Sequence, residues 1–445
     1  MFRTLLLRAL AVILFLLAHL AAIGFADEIP DNKPVEQDSS EGDFDYLITD
    51  LEPARLEEVA DSVDGTAEPD EKPALRLAAP IEELPAEEVA KEADSNDSDL
   101  ATERREQNLN ESSQAAGEFT RTHQVLHDKI TKCLEYYRER PENAAARSPW
   151  GIMHAMIAYG AESEVYADGR KINAISWLNW NGPCRGMRLF RSSNGGIYGL
   201  EGPGLQGHSG QYLAMLAQCK VKSNSPMLID GKSYTVADLI ETEMATCKSR
   251  TELTFKLIGL SHYLRSNVSW RSQSGESWDI QRLIKEELAN PVIGAACGGT
   301  HRMMGFSYAV HIRQKRGEPI DGQWLRAKTY VDDYHEYTLG MQNPDGSFST
   351  NFFEGRGNSN DINETLRSTG HILEWLAFSL PEEQLRDDPR LIAAATFLVD
   401  LMLHNSQNSW EVGPKGHAIR ALVLYKKRIF GDDFEKQASE VAKVK

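Results

Sequence analysis

Long apolar runs are scarce in this chain. No stretch of twenty consecutive apolar residues occurs in its 445 residues. A polytopic helical membrane protein is therefore excluded, because each spanning helix needs about 20 of them. Cysteine is scarce as well, with five residues at 133, 184, 219, 247 and 297. Their spacings of 51, 35, 28 and 50 fit no zinc or dithiol motif. The P-loop, the Gly-x-Gly-x-x-Gly fingerprint, His-Glu-x-x-His and Gly-x-Ser-x-Gly are missing, and His335-Glu336 runs on into Tyr337-Thr338-Leu339. ATP-driven, zinc-protease and serine-hydrolase chemistry lose their usual signatures. Basic charge is short, 48 Lys+Arg against 66 Asp+Glu for a net of −18, so no nucleic-acid partner is expected. What is present, 41% hydrophobic residues with 8% aromatics, is enough for a sizeable core.

The acidity is confined to one segment. Residues 27–120 carry 29 acids and 7 bases, a net of −22, while 121–445 are near neutral at +2. That segment has only Phe44, Tyr46 and Phe119 as aromatics. It cannot bury enough apolar area to offset the entropy of ordering, and reads as a disordered acidic spacer. Before it, Arg3 and Arg8, the apolar run 9–23 and Gly24-Phe25-Ala26 read as a signal peptide over 1–26. Export to the periplasm or beyond is expected, with no membrane span after cleavage; the alternative is an uncleaved N-terminal anchor. In an exported domain five cysteines suggest one or two disulfides and one thiol left over, with connectivity open.

From 121 to 445 the apolar spacing predicts helices over 123–139, 149–161, 206–220, 235–248, 252–265, 277–289, 300–315, 323–341, 364–380, 389–404 and 416–429. Only 172–200 looks strand-like, so a small β-hairpin insertion is expected there. One set of helices is amphipathic, as in Trp324-Leu325-Arg326-Ala327-Lys328. The other is apolar almost all round, as in Leu373-Glu374-Trp375-Leu376-Ala377-Phe378. Helices apolar on every side must be buried by neighbours. The alternation predicts an all-α domain, an α/α toroid of five or six helix pairs.

A second repeat lies on the buried set. A small residue followed by histidine opens several of these helices: Gly207-His208, Thr300-His301, Gly370-His371 and Gly416-His417. His154 sits similarly after Pro149-Trp150-Gly151. One residue type at equivalent places in successive units is a repeat signature. The stretch Gln342-Asn343-Pro344-Asp345-Gly346-Ser347-Phe348 then resembles the Gln-Gly-aromatic repeat of the terpenoid cyclase and protein prenyltransferase superfamily. Ser193-Asn194-Gly195-Gly196-Ile197-Tyr198 is similar to a degenerate second copy. The resemblance implies an α/α toroid with a cavity near the starts of the inner helices. It does not extend to the superfamily's catalytic motifs. The Asp-x-Asp-Asp acid is absent, and of the Asp, Cys and His zinc set only Cys297 and His371 have counterparts, since position 295 is Ala.

Helix starts present N–H groups and a positive dipole end, which suit an anionic or carbonyl-bearing ligand. Glu201, His208, Glu364 and His371 are the candidate catalytic residues, as acid/base groups before or at two helix starts. His154, His301, His417, Tyr212 and Trp375 are the candidate ligand-binding wall. Asn360, Asp361 and Arg367, from the polar loop 351–371, are placed over the cavity mouth. Cys297 and His301 have the i, i+4 spacing of half a metal site, but Gly298-Gly299 between them reads as a tight turn. No metal and no cofactor are expected. The expected partner is a small molecule, glycan or protein bound in the cavity; the alternative is a carbohydrate-active hydrolase or lyase.

Overall fold

The computed structural model describes residues 119–431. The signal peptide, all but the last two residues of the acidic segment, and 432–445 lie outside the described residues. Residues 121–431 belong to one unit.

Ser148 and Pro149 show why the helices start where they do. The Ser148 hydroxyl accepts the Gly151 N–H and proline fills the first turn of α2, Pro149–Tyr159, where its missing N–H costs nothing. Gly160, at φ 64°, then turns the chain into a hairpin, β1 Glu164–Ala167 with β2 Arg170–Asn173. Asp168-Gly169, both at positive φ, close it. The last residue of β2, Asn173, caps the next helix, α3 Ala174–Asn179, by accepting the Ser176 N–H at 3.0 Å.

This unit of buried helix, hairpin and capped helix recurs. After a separate hairpin, β3 Phe190–Ser193 with β4 Gly196–Gly199, comes the buried α4, Gln211–Gln218. Hairpin β5 Pro226–Ile229 with β6 Lys232–Thr235 leads into α5, Val236–Ala245, where the Asp238 carboxylate accepts the Thr235 N–H at 2.7 Å. The third copy is α6 Thr254–Tyr263, hairpin β7 Ser269–Arg271 with β8 Ser277–Asp279, and α7 Ile280–Leu288, capped by Asp279. From there plain helices alternate: α8 Thr300–Lys315, α9 Gly322–Gly340, α10 Ile362–Ser379, the short α11 Glu382–Asp387, α12 Pro389–His404 and α13 Val412–Ile429. The first helix, α1 Arg121–Arg138, packs on α12 and α13.

Six helices, α2, α4, α6, α8, α10 and α13, are buried over most of their surface, and the full span of α6 is buried. The others bury one stripe, such as Trp324, Ala327, Val331 and His335 of α9. Among the buried helices packing runs from α2 to α4, α6, α8, α10 and α13, and α13 also packs on α2.

The fold is mostly helical, and all eleven expected helices are present. The all-α expectation is nonetheless corrected by four two-stranded hairpins. Within 172–200 only β3–β4 is a complete hairpin, and Ile175, Trp177 and Leu178 lie on α3 instead. The stretch Ser193–Tyr198 is that hairpin's turn and flank, with Asn194 and Gly195 at φ 49° and 82°. Disulfides are corrected too, for all five thiols are free. No described helix is long and apolar enough to cross a membrane.

Candidate functional site

All five histidines singled out in the sequence converge. The His154 ring lies 5.3 Å from His417, His417 3.9 Å from His371 and 5.3 Å from His301, and His301 6.1 Å from His208. The small residues that precede them explain the convergence. A Cβ on Gly416 would lie 2.3 Å from the His154 carbonyl, and one on Gly370 3.0 Å from the Ala418 Cα. Without side chains there, α13 approaches both α2 and α10 closely enough to stack imidazole against imidazole.

Four of the five rings are held from behind. The Nδ1 atoms of His154 and His371 lie 2.7 Å from the carbonyls of Trp150 and Arg367. A carbonyl only accepts, so Nδ1 carries the proton and a neutral ring presents the lone pair of Nε2. His208 places Nδ1 2.6 Å from Glu252, and His417 places it 2.5 Å from Glu374. The Nε2 of His417 and the Nδ1 of His301 are buried without a hydrogen-bond partner among the described residues.

Burial, then the neighbouring rings, push His154, His301 and His371 down to about 4. His417 is pushed well below its ordinary value by burial, then by His301 and His154. Glu374, buried beside it, is pushed up by the same desolvation, so burial opposes charge on both members of the Glu374–His417 pair. Burial also opposes charge on His208, but Glu252 overcomes it and holds the ring above its ordinary value.

Cys297 completes the cluster. It stands at φ 51° in a left-handed turn with Gly298 and Gly299 at φ 63° and 88°. The tight turn expected from Gly298-Gly299 exists, and it is what delivers the thiol. A Cβ on Gly298 would lie 2.0 Å from the Phe352 ring. Ligating atoms of Cys297, His301 and His371 lie within 4.8 Å of one another. The sequence, from which no metal is expected, pairs Cys297 with His301 as half of this set; the fold brings His371 to it. Burial lifts the other four thiols, Cys133 to about 12 and Cys184, Cys219 and Cys247 to about 11. Burial works on Cys297 too, but His371, His208 and Arg367 hold it below its ordinary value. A thiol poised toward thiolate beside neutral imidazoles is a ligand set for a soft or borderline divalent metal.

Three of the rings, His301, His371 and His417, face a cavity of about 20 Å³ that Glu374, Trp375 and Gln211 also line. One water or one ion needs about 10–15 Å³, so the cavity has room for such an occupant and not for a sugar.

Other expected site residues part company with this cluster. Glu201 and Glu364 are exposed, and the carboxylates that touch histidines are Glu252 and Glu374. Tyr212 is a core residue whose hydroxyl donates to Asn179 at 2.7 Å. Asp361 caps α10 by accepting the Asn363 N–H at 2.8 Å, and Asn360 is exposed. Arg367 is exposed yet acts on Cys297. Trp375 lines the cavity, with its Nε1–H donated to Ser307 at 2.9 Å. Glu374 had a sequence signal, a lone acid within the apolar turn 373–378 and three residues after His371. Glu252 had none.

Comparisons of the chain with protein-family models, with curated proteins and with solved structures found no match.

Proposed function

We propose that this chain is a metal-binding protein whose central cavity holds one divalent transition-metal ion, zinc in the first instance, between Cys297, His301 and His371. The carrying observation is their mutual reach of 4.8 Å combined with a thiol held below its ordinary range. The Arg367 carbonyl fixes His371 as an Nε2 ligand, the outer-shell device usual at metal-binding histidines. Three protein ligands leave a fourth position for an exogenous small ligand, and an ion there would polarise what it binds. The same reading takes the packing from α2 round to α13 and back to α2 as an α/α toroid with the six buried helices inside. Gln342 supports it. Just past the end of α9, its amide donates to the carbonyls of Gly346 and Arg390 and so ties this turn to the start of α12.

A catalytic version of this reading is favoured by one further observation. His208, oriented by Glu252 and stacked on Phe255 at 4.8 Å, is placed to exchange protons with a ligand beside Cys297. It replaces the exposed Glu201 and Glu364 as the acid/base group of a hydrolase or lyase.

The test is metal content of the full chain, loaded with zinc and dialysed. About one zinc per chain is expected, with affinity lowered at least about a hundredfold in Cys297→Ala and in His371→Ala. Cobalt substitution should add a thiolate charge-transfer band, shifted by acetohydroxamate at the open position. A wild-type chain that retains no metal, or a Cys297→Ala variant that binds it equally well, overturns the proposal.

A further inference from the structure

Five of the buried helices, α2, α4, α8, α10 and α13, together with α1 and α9, border a second, much larger cavity beyond the histidines. Its volume is about 840 Å³, within the ~300–1,000 Å³ of small-molecule sites. It lies on later turns of the same helices. His301 and Met304 of α8 face the small cavity, and Val310, His311 and Gln314 face the large one. On α13, His417 gives way to Arg420, Leu424 and Lys427. Gln218 lines both.

The charged lining of this basin is cationic. Arg138 is paired with Glu162 at 2.9 Å and Lys328 with Asp332 at 2.5 Å. Set against the remaining Glu336 are Arg420, Lys427 and Arg428. Cations near helix C-termini have an ordinary task, to satisfy the last carbonyls. Arg428 performs it, donating to the carbonyls of Ala377 and Phe378 at 2.9 and 3.2 Å. Arg420 does so only in part. One guanidinium nitrogen donates to the Gln218 carbonyl at 3.1 Å, while its buried Nε–H has no partner among the described residues. The surplus is felt at His311, which burial first, then Lys315, Arg428 and Lys220, push down to about 4. Between the cations the walls are apolar, with Val310, Val331, Phe378 and Leu424.

From this geometry we infer a binding site for an anionic amphiphile, a single carboxylate or phosphate head carried on an apolar chain. Arg420 and Lys427 hold the head, with Nε–H of Arg420 as the donor left for it, and Val310, Phe378 and Leu424 receive the chain. Guanidinium donors suit both oxyanions, and a desolvated one binds them more strongly than water-exposed lysines do. The inference does not depend on metal at the histidine cluster.

Titration calorimetry on the full chain tests it, with decanoate and decyl phosphate as probes, each below its micellar concentration. Both should bind, and their ratio identifies the preferred head. Decyltrimethylammonium, of equal chain length, should bind at least about tenfold more weakly, and so should either anion to Arg420→Gln. Because Arg420 also braces Gln218, the doubly substituted Lys220→Gln/Lys427→Gln chain, altered only at exposed positions, provides a second reading and should show the same direction of loss. Equal binding of the cationic amphiphile, no binding of either anion, or unchanged affinity in the double variant overturns the inference. The anions should bind as well to Cys297→Ala as to the natural chain, which separates this outcome from the fate of the metal site.

Discussion

Two cavities of this domain share five buried helices, α2, α4, α8, α10 and α13, and differ in almost every physical respect. One, of about 20 Å³, is walled by imidazoles that burial keeps neutral. The other, of about 840 Å³, is edged with cations on apolar walls. The difference follows from what occupies successive turns. At the first, glycines before His371 and His417 let helices close to near contact, leaving space for an ion. At the second, long side chains such as Arg420 and Arg428 hold them apart. On the proposed readings the tight space suits a metal ion, and the wide one, with its surplus of positive charge, suits an anion.

The largest way to break this comparison is acid. Outside the fold the rings of His154, His301 and His371 titrate near 6.5, and inside it at about 4. Between those values the unfolded chain takes up more protons, so stability falls as pH drops from 6.5 towards 4. One such ring is worth on the order of 3 kcal/mol, and their mutual coupling makes the sum less than additive. His208, held high by Glu252, opposes this as a single ring. Denaturant midpoints at pH 7.5 and 4.5 should show the drop, and a flat profile would refute the buried, neutral description.

Next in size is the ion pair that anchors this end. Glu287 accepts from Arg302 at 3.0 Å, from the Leu253 N–H at 2.7 Å and from Thr254 at 2.5 Å. It ties the start of α8, and with it His301, to the segment carrying Glu252. Glu287→Ala leaves a buried guanidinium without its partner and should cost about 3–5 kcal/mol in denaturant unfolding. Gly416→Ala should cost about 1–3 kcal/mol by overpacking against the His154 carbonyl, and should weaken zinc binding by displacing the rings. At the wide end Lys427→Gln should change stability by less than about 0.5 kcal/mol, since the side chain is exposed. If it destabilises as much as Gly416→Ala, the wide cavity is part of the structural core rather than an open basin.

Much of the helical scaffold was legible because apolar periodicity needs only local sequence. Eleven of the thirteen described helices, including 300–315 and 389–404 to the residue, follow from it, and the two six-residue ones, α3 and α11, do not. The hairpins were harder, since strands of three or four residues carry too little alternation to stand out. Their turns were nevertheless written as Asp168-Gly169, Asn194-Gly195 and Asp230-Gly231, each pair at positive φ. The caps that follow were legible too, in Asn173, Thr235 and Asp279.

What the sequence determined by itself was composition in sequence order: where helices run, which of them are buried, and that small residues precede histidines on the buried set. Only tertiary structure decided which acids meet those histidines. Glu252 and Glu374 do, and Glu201 and Glu364 do not, because packing selects partners across 43 or 44 residues of chain. Tertiary structure also turned Cys297 from a turn residue into a poised thiol. A thiol's acidity is set by the charges and dipoles around it, and those arrive from α10 and from His208, just before α4, only when the helices pack.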